Sequence, residues 1–233
     1  MPLSGPPLDR PIALTEVLAI GLKTKPDELA LVSNESRWTW RELDAAADRV
    51  AAHYLALGLK PGDRVASLLP NRGVLIVHYL VCLRAGLAAT PLNYRYQAPE
   101  IDHALEVSGA SILVAHAERD DDLAKSQLAG KLPLGRVSFG AKDGRGRSLE
   151  EYLQTPPPPV TLPAPPPSAA SIIFFTSGST GKPKGVTHTH ETFGWLVCAR
   201  RRASSLPATS NTADASSATA SAASQFWLSC CER

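Results

Sequence analysis

The amino-acid sequence predicts an α/β fold in which a parallel sheet carries helices on both faces, an αβα layering. Three observations carry that prediction. Up to about Leu153, short apolar segments alternate with helix-length segments, the pattern of successive βαβ units. The helical segments begin and end on residues suited to those positions. The composition, 44% hydrophobic and 20% charged over 233 residues, is that of a globular domain with a core.

Leu29–Ser33 and Arg37–Trp40 read as short extended segments around the turn-prone Asn34-Glu35-Ser36. Thr39-Trp40-Arg41-Glu42 has capping-box spacing and predicts a helix start. Leu43, Ala47, Val50, Tyr54 and Leu57 follow at helical spacing, and Gly58 supplies the stop. Val65–Leu69 is a short apolar strand. Asn71 is placed to cap a second helix, which carries Val74, Leu75, His78, Val81, Cys82 and Ala85 and ends at Gly86. Ala89–Leu92 is extended. A third helix runs from about Pro99, a residue suited to a first turn, to Val107, and Ser111–Ala115 is a further strand.

Two stretches break the alternation. Thr155 to Ser168, "TPPPPVTLPAPPPS", is expected to be extended and polyproline-like. It reads as a stiff exposed connector, with an SH3-type partner as the alternative use. From Ser204 to Ser224 the chain is almost entirely Ser, Ala and Thr. Such a segment has too little apolar surface to offset its ordering entropy, so disorder is expected.

A net charge of +2 gives no global basic field for nucleic acid. Arg200-Arg201-Arg202 is a short basic run of the kind that decorates a helix end. Cys82, Cys198, Cys230 and Cys231 lack metal-ligand or disulfide-framework spacing, and Cys82 reads as a small buried hydrophobe. The N-terminus has neither signal-peptide nor transit-peptide order, and no apolar run reaches membrane-span length. A cytoplasmic location is the resulting expectation.

The chemistry concentrates in one place. Ser171 to Phe175 is suited to a buried strand, and it runs directly into Thr176-Ser177-Gly178-Ser179-Thr180-Gly181-Lys182-Pro183-Lys184-Gly185. Two glycines permit a tight turn with inward N–H groups, four hydroxyls add donors, and Lys182 and Lys184 add charge. That set suits a polyphosphate. A Walker A loop does not fit. With Lys182 as its lysine, the first glycine falls on Thr176 and the final Ser/Thr on Pro183. Pro183 also disfavours helical geometry at Lys182, against a helix opening there.

"TSGSTGKPKGV", Thr176 to Val186, resembles the signature loop of adenylate-forming enzymes: acyl-CoA synthetases, firefly luciferase and the adenylation domains of peptide synthetases. His190 in "THTHE" is similar to a histidine usual after that loop. Upstream, "WTWRELDAAADRVAAHYLALGLKPGDRVASLLPN" and "LRAGLAATPLNYRYQAPEIDHALEVSGASILVA" resemble two further blocks of the family, in the same order. The match covers roughly residues 12–197, and "PLNYRYQAPEI" looks closer to acyl-CoA synthetases. The resemblance implies an incomplete N-terminal domain of that fold over 12–197, followed by a low-complexity tail over 198–233. It implies ATP, Mg²⁺ and CoA as cofactors and a carboxylic acid as substrate, joined through an acyl-adenylate. It further implies Thr176 as a Mg²⁺ ligand, Ser177, Gly178, Ser179, Thr180 and Gly181 around the β/γ-phosphates, and Lys182 and Lys184 on the departing pyrophosphate. No catalytic residue is assigned, because the family's adenine contacts, Mg²⁺-site glutamate, acyl pocket and C-terminal lysine lie after the loop. The expectation is a chain that cannot complete the reaction. A non-catalytic remnant or phosphate-binding module without turnover stays open as an alternative, as does a proline-rich adaptor.

His53, His78, His103 and His116 are scattered over separate elements and are read as ordinary histidines rather than ligands. His188 and His190 lack a neighbouring metal-ligand set. No Ser-His-Asp arrangement is indicated.

Overall fold

The structure is a computed structural model, which describes residues 11–33, 36–141, 146–176 and 183–205. After a single 3₁₀ turn, Leu14–Glu16, come α1 (Ala19–Thr24), β1 (Leu29–Val32), β2 (Arg37–Thr39), α2 (Trp40–Ala56) and β3 (Arg64–Leu68). Then follow α3 (Gly73–Arg84), β4 (Ala88–Pro91), α4 (Ala98–Ser108) and β5 (Ile112–His116). The chain continues through α5 (Asp120–Lys125), β6 (Arg136–Phe139), β7 (Arg147–Ser148), α6 (Leu149–Gln154), β8 (Ala170–Thr176), β9 (Lys184–Thr189) and α7 (His190–Ser205). The expected segments around α2, α3 and α4 and their strands are present, with ends shifted by a residue or two.

The capping box forms as spaced. Thr39 Oγ1 accepts from the Glu42 N–H at 3.2 Å, and Glu42 Oε2 accepts from the Thr39 N–H at 2.8 Å. Caps of this kind stabilise by about 1 kcal/mol. Gly58, at φ +100°, ends the run in a conformation that only glycine adopts freely. The cap expected of Asn71 does not form. Arg72 occupies the N-cap, with no side-chain bond to the first turn. Every residue from Gly73 to Leu83 is buried, so burial rather than capping holds α3.

Among the described residues, seven strands form the main sheet in the order β7-β6-β5-β3-β4-β8-β9. All neighbours are parallel except β8 and β9, which are antiparallel. β1 and β2 form a separate antiparallel pair. One face of the sheet, through Val65, Ile112, Val114 and Ile172, packs against α2, α3, α6 and α7 in the larger core. The other, through Ala66, Leu68, Leu113 and Ala115, packs against α4 and α5. Alternation along β3 and β5 thus feeds both helical layers. Between α2 and α3, Arg84 bonds Asp48 at 2.9 Å and also reaches Asp44.

The proline run has no regular structure, but it is not wholly exposed. Leu162 packs on the larger core, and a Cβ placed on Gly86 would stand 3.4 Å from Pro163. Cys82 and Cys198 are both buried. No helix among the described residues is long and apolar enough to cross a membrane.

Candidate functional site

β8 is buried from Ser171 to Ile173 and emerges at Thr176, which is exposed. Ile172 and Phe174 join the larger core, while Phe175 packs on the smaller one. Bulky side chains on both faces therefore fix where the strand releases the loop. The return strand pairs from Thr176↔Lys184 down to Ala170↔Thr189. Thr176 Oγ1 donates to the Lys184 carbonyl at 3.5 Å, and the Lys184 side chain is exposed.

The phosphate-loop candidate is consequently the tip of a β-hairpin. A P-loop leads from strand to helix, whereas here strand leads to strand, which agrees with the exclusion drawn from spacing and Pro183. Of the proposed site residues, the structure brings Thr176 and Lys184 together in one rung. Ser177, Gly178, Ser179, Thr180, Gly181 and Lys182 lie outside the described residues. Beside the hairpin, His103 on α4 donates Nε2–H to the Pro183 carbonyl at 3.0 Å.

His190 stands apart from this end. It follows β9 directly, and its N–H donates to Ala169 O, so it sits at the amino end of β8. Six residues of strand place it about 20 Å from Thr176. Burial holds its imidazole below the usual histidine range, and Nε2 has no hydrogen-bond partner among the described residues. Its surroundings are those of a neutral packed side chain.

A polar cluster that the scattered-histidine reading missed lies at the carboxyl ends of β3 and β5. These adjacent strands lead into α3 and α5, which lie on opposite faces, the arrangement of a topological switch point. Arg72 Nη1 stands 3.4 Å from His116 Nε2 and Arg72 Nη2 3.4 Å from Glu118 Oε1. Tyr94 donates to Glu118 Oε2 at 2.7 Å. The Tyr94 bond holds the Glu118 carboxyl below its ordinary range, while burial and that carboxylate push the Tyr94 phenol up to about 12. The available signal was positional: each residue ends or shortly follows an apolar strand segment. β3 and β5 stand two and three strand spacings, about 10 and 14 Å, from β8. Among the described residues, no group of three or more His, Cys, Asp or Glu is placed to hold a metal ion.

Fold and site together define an α/β domain of doubly wound type, with a hydroxyl- and lysine-bearing hairpin beyond the carboxyl edge of its sheet. A family model described as "AMP-binding enzyme" matches residues 19–230, and the chain belongs to that family. It is 35% identical over 176 residues to a feruloyl-CoA synthase of Amycolatopsis sp., covering 74% of this chain and 32% of the relative. It is 34% identical over 181 residues to the phosphinothricin tripeptide synthetase PhsC of Streptomyces viridochromogenes, covering 78% and 16%. Among solved structures, Mycobacterium smegmatis MbtA superposes with a TM-score of 0.72 at 31% identity, covering 83% of this chain and 36% of that one. The chain thus spans about a third or less of the length of these proteins and matches the N-terminal portion of an acyl-CoA ligase-like, adenylate-forming enzyme.

Proposed function

We propose that the chain is the N-terminal part of an ATP-dependent carboxylate–CoA ligase and that it contributes the triphosphate-binding loop. The observation that carries this reading is the Thr176–Lys184 rung, which sets a threonine and a lysine opposite one another where the two strands meet the loop. Residues 12–197 supply the phosphate-binding portion; the boundary with the tail read over 198–233 falls inside α7, which runs to Ser205. The location that suits this reading is cytoplasmic.

The described donors suit a polyphosphate. Thr176 is exposed and its hydroxyl donates a long bond to the Lys184 carbonyl, and Lys184 is exposed. Thr176 would hold Mg²⁺ through that hydroxyl, and the ion would supply charge neutralisation at the phosphates. In the proposed reaction a carboxylate attacks the α-phosphate of ATP, forming an acyl-adenylate and releasing pyrophosphate; CoA thiol then displaces AMP. Such transfers depend on positioning and on neutralising charge. Ser177 to Gly181 wrap the β/γ-phosphates, and Lys182 and Lys184 steady the pyrophosphate as it departs.

ATP with Mg²⁺ is expected to protect the chain against limited proteolysis, and a Gly181→Ala, Lys184→Ala double change to abolish that protection. Protection that survives the double change would place nucleotide binding elsewhere. The 233-residue chain alone is expected to show no carboxylate-dependent ATP–pyrophosphate exchange above background. The loop supplies binding to phosphate, but acceleration needs contacts made selectively to the transition state. Robust exchange would overturn the claim that further parts of the enzyme are required.

A further inference from the structure

We infer that His103 is a positioning residue for Lys184. The inference rests on the phosphate reading of the hairpin. The bond from His103 Nε2–H to the Pro183 carbonyl, 3.0 Å long, ties α4 to the residue that enters β9. That carbonyl lies in the same rigid peptide plane as the Lys184 N–H. Holding the carbonyl therefore fixes the plane from which the Lys184 Cα–Cβ bond projects, and with it the arc its ammonium can sweep. The neighbouring Thr176–Lys184 rung fixes the other side of the same residue.

The platform is firm. At its amino end, the Glu100 carboxylate accepts from the Gln97 N–H at 2.8 Å, and Pro99 stands in the first turn. Next to His103, the Asp102 carboxylate accepts from the Ser126 hydroxyl and, at 3.0 Å each, from the Gln127 and Leu128 N–H groups. At the far end, Arg64 donates to the Ser108 and Gly109 carbonyls. One turn beyond His103, Val107 lies over β9 close enough that a Cβ on Gly185 would meet its Cγ1 at 3.8 Å and Ile173 Cγ2 at 3.1 Å. A hydrogen bond presented from such an element places its acceptor within narrow limits.

The acceptor is a carbonyl, so the donor must be Nε2–H, and the geometry can be mimicked selectively. Glutamine presents an amide N–H near the Nε2 position; asparagine presents it near Nδ1. The test uses the full 233-residue chain with magnesium tripolyphosphate as probe, read by calorimetry, with circular dichroism confirming that each variant folds. His103→Ala is expected to weaken binding about 5- to 10-fold, the effect of losing one charge-positioning bond. His103→Gln should restore affinity to within about 2-fold, and His103→Asn should not. Because His103 acts through Lys184, His103→Ala should add no further loss in a Lys184→Ala background. Unchanged binding in His103→Ala, equal behaviour of the Gln and Asn variants, or additive losses would overturn the inference. If the parent chain binds no tripolyphosphate, the phosphate reading fails, and amide exchange at Lys184 and Gly185 then decides the positioning role. His103→Ala should speed that exchange and His103→Gln restore it; unchanged rates would refute the role.

Discussion

Tyr54→Ala is expected to cost about 4 kcal/mol of folding stability, whereas Tyr54→Phe should cost nothing and raise stability by up to about 1 kcal/mol. Tyr54 is fully buried on the inner face of α2, and its ring meets Tyr152 of α6 edge-on at a centroid distance of 6.3 Å. His53 also stacks on Tyr152, with ring centroids 4.8 Å apart and planes 8° from parallel. Truncation to alanine removes the aromatic that joins α2 to α6 and leaves a cavity among side chains already at their packing limit. The hydroxyl contributes differently. It has no hydrogen-bond partner among the described residues, so phenylalanine keeps the packing and removes a polar group that gains nothing by burial. Urea unfolding of the two variants separates ring from hydroxyl. A loss of about 2 kcal/mol in Tyr54→Phe would show instead that the hydroxyl is satisfied by a buried water.

Acidification from pH 7 to pH 5 is expected to remove about 2 kcal/mol of stability through His78 alone. His78 is fully buried on α3, and burial lowers its imidazole pKa to about 3. In the unfolded chain it titrates near 6.5. Below that value the unfolded state takes a proton that the folded state refuses, so stability falls as pH falls. The neutral imidazole's contribution is complete above about 6.5 and is lost progressively down to about 3, at roughly 1.4 kcal/mol per pH unit. Its neighbours do not offset this. Cys82 lies 3.8 Å from Nε2, and burial keeps its thiol protonated. His190 shifts in the same direction for the same reason. Unfolding midpoints at pH 7 and pH 5 measure the slope, and His78→Leu should flatten it by about one proton's worth. An unaltered slope in that variant would show that the imidazole accepts its proton in the folded state.

The elements legible in the sequence were those whose own residues specify them. The Thr39–Glu42 box, the apolar period of α2 and Gly58 announced a helix with both ends, and all three features are present. β3, β4 and β5 were readable because central parallel strands are buried on both faces and so are mostly apolar. β9 was not. As an edge strand it is exposed from Lys184 to Thr187 and polar for most of its length, so "KGVTHT" carries neither alternation nor an apolar run. β6 and β7 are four and two residues long, too short for a period to emerge. The misjudged Asn71 cap has a similar origin: tertiary burial fixed the start of α3 where local capping chemistry pointed one residue earlier. At the site, Thr176 and Lys184 were legible because the loop's residue types state their own chemistry. The Arg72–His116–Glu118–Tyr94 cluster was not, since its members come from three loops that only the strand order brings together.

The hairpin that carries the loop also sets what evolution and engineering can do with it. Both ends of the loop are anchored in paired strands about 5 Å apart, and neither end is the first turn of a helix. Changes of length within residues 177–182 act between two strand ends held in register, and closing a longer loop costs only about 0.6 kcal/mol per doubling of its length. Length is the tolerant variable here and residue type the demanding one. A library that varies spacing between Thr176 and Lys184 can therefore retune the reach of the loop without disturbing the sheet beneath it.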